Sequence, residues 1–151
     1  MKLILKKLRS TASVPVRATS GSAGLDLCAC LENPVTIQPG EISVIPTGLA
    51  ASPDNEETAL FIYPRSGLST KFGISLANCV GVVDSDYRGE IGIPLVNNSP
   101  TAFTVEHGMR IAQLVAAPVI IPEIVLSDKL DETERGSGGF GSTGCNNNNE
   151  V

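Results

Sequence analysis

Short apolar segments recur along the chain, and glycine or proline separates most of them. Several alternate between apolar and polar positions with a period of two, which is typical of half-buried β-strands. The segments are KLILKKL, PVTIQPG, EISVIPTGL, ALFIYP, EIGIPLVN, TAFTVEHG, RIAQLVAAPVII and PEIVLSD. Ten prolines and fifteen glycines leave little room for a long helix. The pattern predicts an all-β sandwich or barrel with at most one short helix, near SGLSTKFG.

The length of 151 residues suits one domain with a real core and is too short for two. After Asp128 the composition changes to charged residues, then to glycine, then to CNNNNEV. This last stretch has too little apolar surface to offset the entropy lost on ordering. We therefore predict a β-domain over residues 1–128 and a mobile, glycine-rich C-terminal arm over residues 129–151.

The composition limits the cellular location and the kinds of partner that we expect for the protein. The start, MKLILKKLRS, lacks the apolar run of a signal peptide, and LVAAPVII is interrupted by Pro118. We expect a cytoplasmic protein with no membrane partner. The net charge of −5 disfavours nucleic acid as a partner, but it does not exclude a small anionic substrate.

The four cysteines do not form a recognisable metal motif, because the only histidine is His107. Without a secretory signal we expect the thiols to be reduced. Small buried side chains are expected at Cys28 or Cys30 and at Cys79.

Two polar clusters interrupt the apolar pattern in the first half of the chain. Asp26 lies inside SAGLDL, where a buried carboxylate needs a partner, and taken alone it is better explained by a turn or a structural pair than by a functional site. Arg65, Ser66 and Gly67 in YPRSGLS follow a strand and begin the predicted helix. Backbone N–H groups, a hydroxyl and a guanidinium at such a point suit phosphate, although Ser66 acting as a simple helix cap is the alternative.

Two further clusters lie beyond residue 77. ANCVGVVDSDYRGEIGI predicts a hairpin whose polar backbone edges could read a base, with Asn78, Asp84 and Tyr87 nearby. The alternative interpretation is that the aspartates of this segment are only solvated turn residues. In HGMRIAQLV, Arg110 and Gln113 are odd-spaced along a strand, so alternation predicts that at most one of them faces a given site.

The stretch RGSGGFGSTG contains a G-x-G-x-x-G spacing close to the end of the chain. No strand precedes it and no helix can follow it, so a dinucleotide-binding turn does not fit. No lysine precedes the serine or threonine, which also excludes a phosphate-binding loop of the Walker A type. The segment is therefore expected to act as a flexible arm.

Taken in order, AGLDL, PRSGLS, GVVDSDYRGEIGI with the preceding Asn78, GMRIAQLV and RGSGGFGSTG resemble the five motifs of the homotrimeric dUTP diphosphatase (dUTPase) family. The resemblance runs from Ala23 to Gly144. It implies a jelly-roll-like β fold and a homotrimer with active sites at the subunit junctions. It also implies hydrolysis of dUTP to dUMP and pyrophosphate, which keeps uracil out of DNA and supplies dUMP for thymidylate synthesis.

The resemblance also implies roles for individual residues. Asp84 matches the carboxylate that orients and deprotonates the attacking water, and Asp26 matches a supporting carboxylate. Asn78 and the adjoining backbone match the uracil readers, and Tyr87 matches the ring that packs on the deoxyribose. The substrate-binding positions implied are Arg65, Ser66, Gly67, Asn78, Val83, Tyr87, Gln113, Arg135, Phe140, Gly141, Ser142 and Thr143. The implied cofactor is Mg²⁺, held by the substrate phosphates and water without direct protein ligands.

Three other functions stay open for such a sequence. A dCTP deaminase of similar fold should carry a glutamate that shuttles protons at the base, and it lacks a close match to GGFGSTG. A bifunctional deaminase and diphosphatase is the second. The third is a non-catalytic nucleotide-sensing relative, for which loss of Asp84, Tyr87 or the arm would be expected; all three are present.

Overall fold

The computed structural model describes residues 1–139. Its elements are almost all short strands: β1 Leu3–Lys7, β2 Leu25–Cys28, β3 Val35–Ile37, β4 Ile42–Pro46, β5 Leu49–Pro53, β6 Thr58–Pro64, β7 Ile74–Leu76, β8 Gly81–Val83, β9 Gly92–Asn97, β10 Phe103–Val105 and β11 Arg110–Pro118. One helix, α1, spans Ser66–Phe72. The prediction of an all-β fold with one short helix is confirmed.

The strands form four antiparallel sheets, and residues 1–139 do not close into a barrel. The largest sheet has the order β2-β11-β6-β8, and a three-stranded sheet has the order β4-β9-β7. Two-stranded sheets pair β1 with β5 and β10 with β3. Most neighbours in a sheet are distant in sequence, as expected for strands that cross between layers of a sandwich.

The core lies between the sheets and is almost entirely aliphatic. Alternation along β9 buries Ile93 and Leu95 while their neighbours face outwards, and β11 contributes Ile111 and Leu114. With no tryptophan in the chain, side chains of this kind fill the interior. Burial of each large aliphatic side chain stabilises the fold by about 1.5–3 kcal/mol.

One buried polar residue organises the turn after β9. Asn97 is fully buried, and its Nδ2 donates to the carbonyl oxygens of Ile37 at 2.9 Å and Thr101 at 2.8 Å. Its Oδ1 accepts from the backbone N–H and the hydroxyl of Ser99. Every polar atom of the amide is therefore satisfied, which is the condition for burying it without a large penalty.

Helix α1 is bounded by its flanking residues. Arg65 precedes it in an extended conformation, and Gly73 ends it with a left-handed φ of 67°. The N–H of Gly73 donates to the carbonyls of Leu68 and Ser69, which otherwise lack partners at the helix end. The helix buries Leu68 and leaves its first turn at the surface.

Two expectations about strands were wrong. The segment around residues 81–97 is not a hairpin, because β8 pairs with β6 whereas β9 pairs with β4 and β7. The two strands join different sheets, and a polar loop crosses between them. PEIVLSD forms no strand, since no described strand pairs with it, and Ile124 and Leu126 are exposed.

Residues Met1–Ile121 form one compact unit, and a second unit begins at Pro122. The predicted boundary after residue 128 stays a prediction. Within the second unit, Arg135 donates from Nε to the carbonyl of Gly138 at 3.0 Å. No helix within residues 1–139 has the length and apolar character needed to cross a membrane.

The three cysteines within residues 1–139 are free thiols. Cys30 is buried as expected, and partial burial together with the nearby Asp26 carboxylate raises the pKa of the Cys28 thiol. The prediction that Cys79 is buried was wrong, because it occupies an exposed turn between β7 and β8.

Candidate active site

A pocket of about 350 Å³ opens beside β8, between the two largest sheets. Its floor is apolar and includes Ile62, Leu76 and Ile91. Four of the residues that line it have polar side chains: Asn78, Asp84, Tyr87 and Glu90. The size and the mixture of an apolar floor with a few polar groups are typical of small-molecule sites.

The turn that carries Asn78 is unusually tight. The N–H of Val80 donates to the carbonyl of Asn78 at 2.6 Å, and Cys79 between them has a φ of 61°. This is a γ-turn whose central residue adopts a left-handed conformation, which is uncommon outside glycine. A side chain at Gly81 would approach the Asn78 amide, its Cβ 3.6 Å from Nδ2. The turn therefore places Asn78 at the pocket wall, close to the backbone of Gly81.

Asp84 stands directly after β8, where the chain leaves the sheet. Its carbonyl accepts from the N–H of Tyr87 at 3.2 Å, which closes a turn over residues 84–87. Its side chain is exposed, lines the pocket and makes no ion pair within residues 1–139. An exposed carboxylate at the wall of a pocket is suited to binding and orienting a water molecule.

Tyr87 lies back against the loop that follows it. Its hydroxyl donates to the carbonyl of Glu90 at 3.1 Å, and its ring covers Gly89. The side chain of Arg88 donates to the carbonyls of Ser85 and Tyr87. Glu90 was not predicted as a site residue, since nothing in the sequence distinguishes it from other surface acids.

A second group of predicted residues surrounds the buried carboxylate of Asp26. Arg65 donates to one of its oxygens from Nε at 3.1 Å, and Arg110 donates to the other from Nη1 at 3.0 Å. Asp26 is only 6% exposed, so this carboxylate depends on its two guanidinium partners. The expectation that Asp26 needs a partner is confirmed.

A bulge in β11 overturns the expectation that Arg110 and Gln113 face opposite ways. The pairing of β11 with β2 shifts register between Arg110 and Ala112, which adds one residue to the alternation. Gln113 lies opposite Asp26 in the ladder, and Arg110 bonds the carboxylate of that same residue. The side chains of Arg110 and Gln113 therefore lie on the same face of the sheet, the face that carries Asp26.

Ser66 and Gly67 are exposed in the first turn of α1, next to Arg65. The helix begins without a side-chain cap, so Ser66 does not act as the cap considered above. The first backbone N–H groups of a helix have no partner inside it, and here they open to the surface. This is the arrangement that suits an anionic group, with Arg65 beside it.

The structure thus divides the predicted residues into two groups within one chain. The pocket brings together Asn78, Val83, Asp84 and Tyr87. The second group contains Asp26, Arg65, Ser66, Gly67 and Gln113, none of which lines that pocket. Arg135 lies in the separately described second unit, and Phe140, Gly141, Ser142 and Thr143 lie outside the described residues.

An all-β fold with a pocket of this size, an exposed carboxylate at its wall and a separate arginine cluster suits an enzyme that acts on a small anionic molecule. Sequence comparison gives the family: the dUTPase model matches residues 10–144. The chain belongs to the dUTPase family. A homotrimeric assembly is consistent with this family.

Relatives support the assignment over nearly the whole chain. The chain is 49% identical over 144 residues to the deoxyuridine 5'-triphosphate nucleotidohydrolase of Desulfitobacterium hafniense (strain DSM 10664 / DCB-2), covering 95% of each protein. It is 50% identical over 146 residues to the enzyme of the same name from Burkholderia cenocepacia (strain HI2424), covering 95% of this chain and 99% of the relative.

Solved structures agree with the fold. The Staphylococcus bacteriophage 80alpha dUTPase with dUPNHPP superposes with a TM-score of 0.86 at 28% identity, covering 95% of this chain and 99% of that one. A mutant dUTPase from phage phi11 of S. aureus, described with a structural Mg(II) ion, gives a TM-score of 0.79 at 24% identity. It covers 87% of this chain and all of the phage chain.

Proposed function

We propose that the protein is a dUTP diphosphatase that hydrolyses dUTP to dUMP and pyrophosphate. The observation that carries the proposal is the pocket that Asn78, Asp84 and Tyr87 line together. The names of relatives about half identical to this chain support the same substrate. No observation favours a deaminase or a non-catalytic relative. A cytoplasmic location stays a prediction of the sequence.

In the proposed reaction, Asp84 orients a water molecule and accepts its proton as the water attacks the α-phosphorus. Pyrophosphate leaves in line with the attack, and no covalent intermediate on the enzyme is needed. Proton removal of this kind contributes about 10²–10⁴-fold to the rate. The exposed position of Asp84 at the pocket wall supports this role, since the carboxylate is accessible to water and to a bound nucleotide.

Recognition of the nucleoside is assigned to the pocket. Asn78 and the backbone of the adjoining turn would read the donor and acceptor pattern of uracil, with Val83 beside them. Tyr87 would pack on the deoxyribose and exclude a 2'-hydroxyl. A site whose polar groups match one base rejects a mismatched base strongly, because the mismatch leaves buried groups unpaired.

Phosphate binding is assigned to the second group and to the arm. Arg65 uses Nε on Asp26 and Nη1 on the carbonyl of Arg110, so its Nη2 has no partner within residues 1–139. The guanidinium would therefore be oriented before substrate binds, with Ser66, Gly67 and Gln113 beside it. Arg135, Phe140, Gly141, Ser142 and Thr143 would complete the site from the arm.

We further propose that the active protein is a homotrimer and that each site combines groups from different subunits. The support is the separation, within a single chain, of the Asp84 pocket from the Arg65 cluster. A symmetric assembly would let the pocket of one subunit meet the cluster of a neighbour. The family membership supports the same arrangement.

Mg²⁺ is proposed as the cofactor, and it would neutralise charge on the triphosphate. Within residues 1–139 no three or more His, Cys, Asp and Glu side chains form a metal-binding group. Both carboxylate oxygens of Asp26 already accept hydrogen bonds from arginines, one from Arg65 and the other from Arg110. The ion would therefore take its ligands from phosphate oxygens and water, as Mg²⁺ commonly does.

The experiment that tests the function offers dUTP, dTTP, dCTP and UTP separately with Mg²⁺ and measures pyrophosphate and ammonia. Pyrophosphate from dUTP alone is the expected result. Release of ammonia from dCTP would instead identify a deaminase. A protein that forms no product from any of the four nucleotides would contradict the diphosphatase function and favour the non-catalytic nucleotide-sensing relative.

A further inference from the structure

We propose that Gly89 is a positioning residue that holds the ring of Tyr87 in place and so sets the discrimination between deoxyribose and ribose. The inference rests on the proposed function, in which Tyr87 packs on the sugar. Gly89 itself does not line the pocket that holds Tyr87. The supporting observations come from the loop between β8 and β9 and from the contacts of that loop with Gly48 and Arg9.

The space above Gly89 is occupied by Tyr87. A Cβ built on Gly89 would overlap the Tyr87 hydroxyl and would lie 2.5 Å from the ring atom Cζ and 3.0 Å from Cε2. Real Cβ atoms essentially never come within 3.0 Å of another heavy atom, so any side chain at this position must displace the ring.

The backbone conformation does not explain the glycine. Gly89 is absent from the glycines with positive φ, which are Gly40, Gly48, Gly73, Gly108 and Gly136. A positive φ, which favours glycine over other residues, is therefore not the reason for a glycine at residue 89. The three heavy atoms nearest to a Cβ at residue 89 all belong to the side chain of Tyr87.

The other end of the Tyr87 side chain is fixed as well. Its hydroxyl donates to the carbonyl of Glu90, and Glu90 is anchored to the domain through its own side chain. Oε1 of Glu90 accepts from the N–H of Gly48 at 2.7 Å, and Oε2 accepts from Nη2 of Arg9 at 3.2 Å. The acceptor for the tyrosine hydroxyl is thus held against the start of β5.

These contacts give the ring one defined position on the pocket wall. Tyr87 is 45% exposed, so the ring has room to swing outwards if it is displaced. A methyl group at residue 89 would therefore move the ring and break its bond to Glu90 with little effect on the core. The sugar would lose the surface that excludes a 2'-hydroxyl, and the enzyme would accept ribonucleotides more readily.

The test compares UTP with dUTP as substrates for Gly89→Ala. We expect the ratio of kcat/KM for UTP to that for dUTP to rise at least about 10-fold, as for the loss of one specific pocket contact. Gly21→Ala is the matched control, since a Cβ there meets nothing within 4 Å and its φ is not positive. Its ratio should equal that of the wild type.

A double-mutant cycle separates positioning from a purely structural role. If Gly89 acts only through the ring, Gly89→Ala should change nothing further when added to Tyr87→Ala. If Gly89→Ala fails to fold, the double variant should fold, because the ring that the methyl group meets has been removed. A double variant that is unfolded, or that shows the full additional effect of Gly89→Ala, overturns the inference.

Failure of the inference differs from failure of the proposed function. Wild-type protein that does not hydrolyse dUTP contradicts the function. Wild-type activity combined with an unchanged nucleotide ratio in Gly89→Ala overturns the positioning role alone. A crystal structure of Gly89→Ala gives a readout independent of activity: a displaced Tyr87 ring supports the inference, and a ring in its original position refutes it.

Discussion

Arg65 donates a hydrogen bond from Nε to the buried carboxylate of Asp26 at 3.1 Å, so a predicted phosphate-binding side chain is held by a predicted supporting one. A second arginine, Arg110, engages the other oxygen of the same carboxylate. The geometry ties the first strand of the largest sheet to the start of helix α1 through a charged contact.

We expect Asp26→Asn to lower the free energy of unfolding by about 1–3 kcal/mol, because hydrogen bonds to a charged group are lost and two guanidinium groups lose their counter-charge. Urea denaturation measures the change. Glu106→Gln is the control, since Glu106 is exposed and forms no ion pair within residues 1–139. Equal stability of Asp26→Asn and the wild type would mean that the buried carboxylate is not needed by its partners.

Asp84→Asn should reduce kcat by at least about 10²-fold while leaving nucleotide binding largely intact. An amide can still accept a hydrogen bond from water but cannot take its proton. Steady-state pyrophosphate release measures kcat, and titration with the analogue dUPNHPP measures binding. Asp86→Asn is the matched control, because Asp86 is also exposed in the same loop but does not line the pocket. Normal turnover by Asp84→Asn would remove Asp84 from the catalytic role.

Deletion of residues 135–151 should leave a folded, assembled protein with severely reduced activity. The compact unit that contains the core and the eleven strands found within residues 1–139 ends at Ile121, before the deleted segment begins. Circular dichroism and analytical ultracentrifugation test folding and assembly, and pyrophosphate release tests activity. Loss of assembly would show that the arm is structural, and full activity would show that it is dispensable.

Asn97→Asp should lower the free energy of unfolding by about 1–3 kcal/mol or more, since a carboxylate oxygen would then face two carbonyl oxygens. In the wild type, Nδ2 donates to both of those carbonyls, of Ile37 and Thr101. Asn98→Asp makes the same chemical change at an exposed neighbour and should have little effect. A similar denaturation midpoint for the two variants would contradict the account of the buried turn.

The sequence predicts the fold class because each strand is short and carries its own turn signals. It also predicts the candidate residues, since Asn78, Asp84 and Tyr87 stand together in one polar interruption of the apolar pattern. What it does not predict is which strands pair. The partners of β8 and β9 are distant in sequence, so local alternation wrongly suggests that the two pair with each other.

The missed features of the site have equally specific causes. The bulge at Arg110 changes the face of a side chain without leaving any mark in the apolar pattern. The exposed position of Cys79 follows from a turn conformation that cysteine rarely adopts. Glu90 and Gly89 matter through contacts with Tyr87 and Gly48, which exist only once the loop is folded.

The central claim is that a working site combines the Asp84 pocket of one subunit with the Arg65 cluster of another. The most direct test mixes two inactive variants, Asp84→Asn and Arg65→Ala, and refolds them together. Random assembly should leave roughly a quarter of the sites with both groups intact, so that fraction of wild-type dUTP hydrolysis should return. Activity no greater than that of the separate variants would contradict the claim, because it would mean that both groups act within one chain.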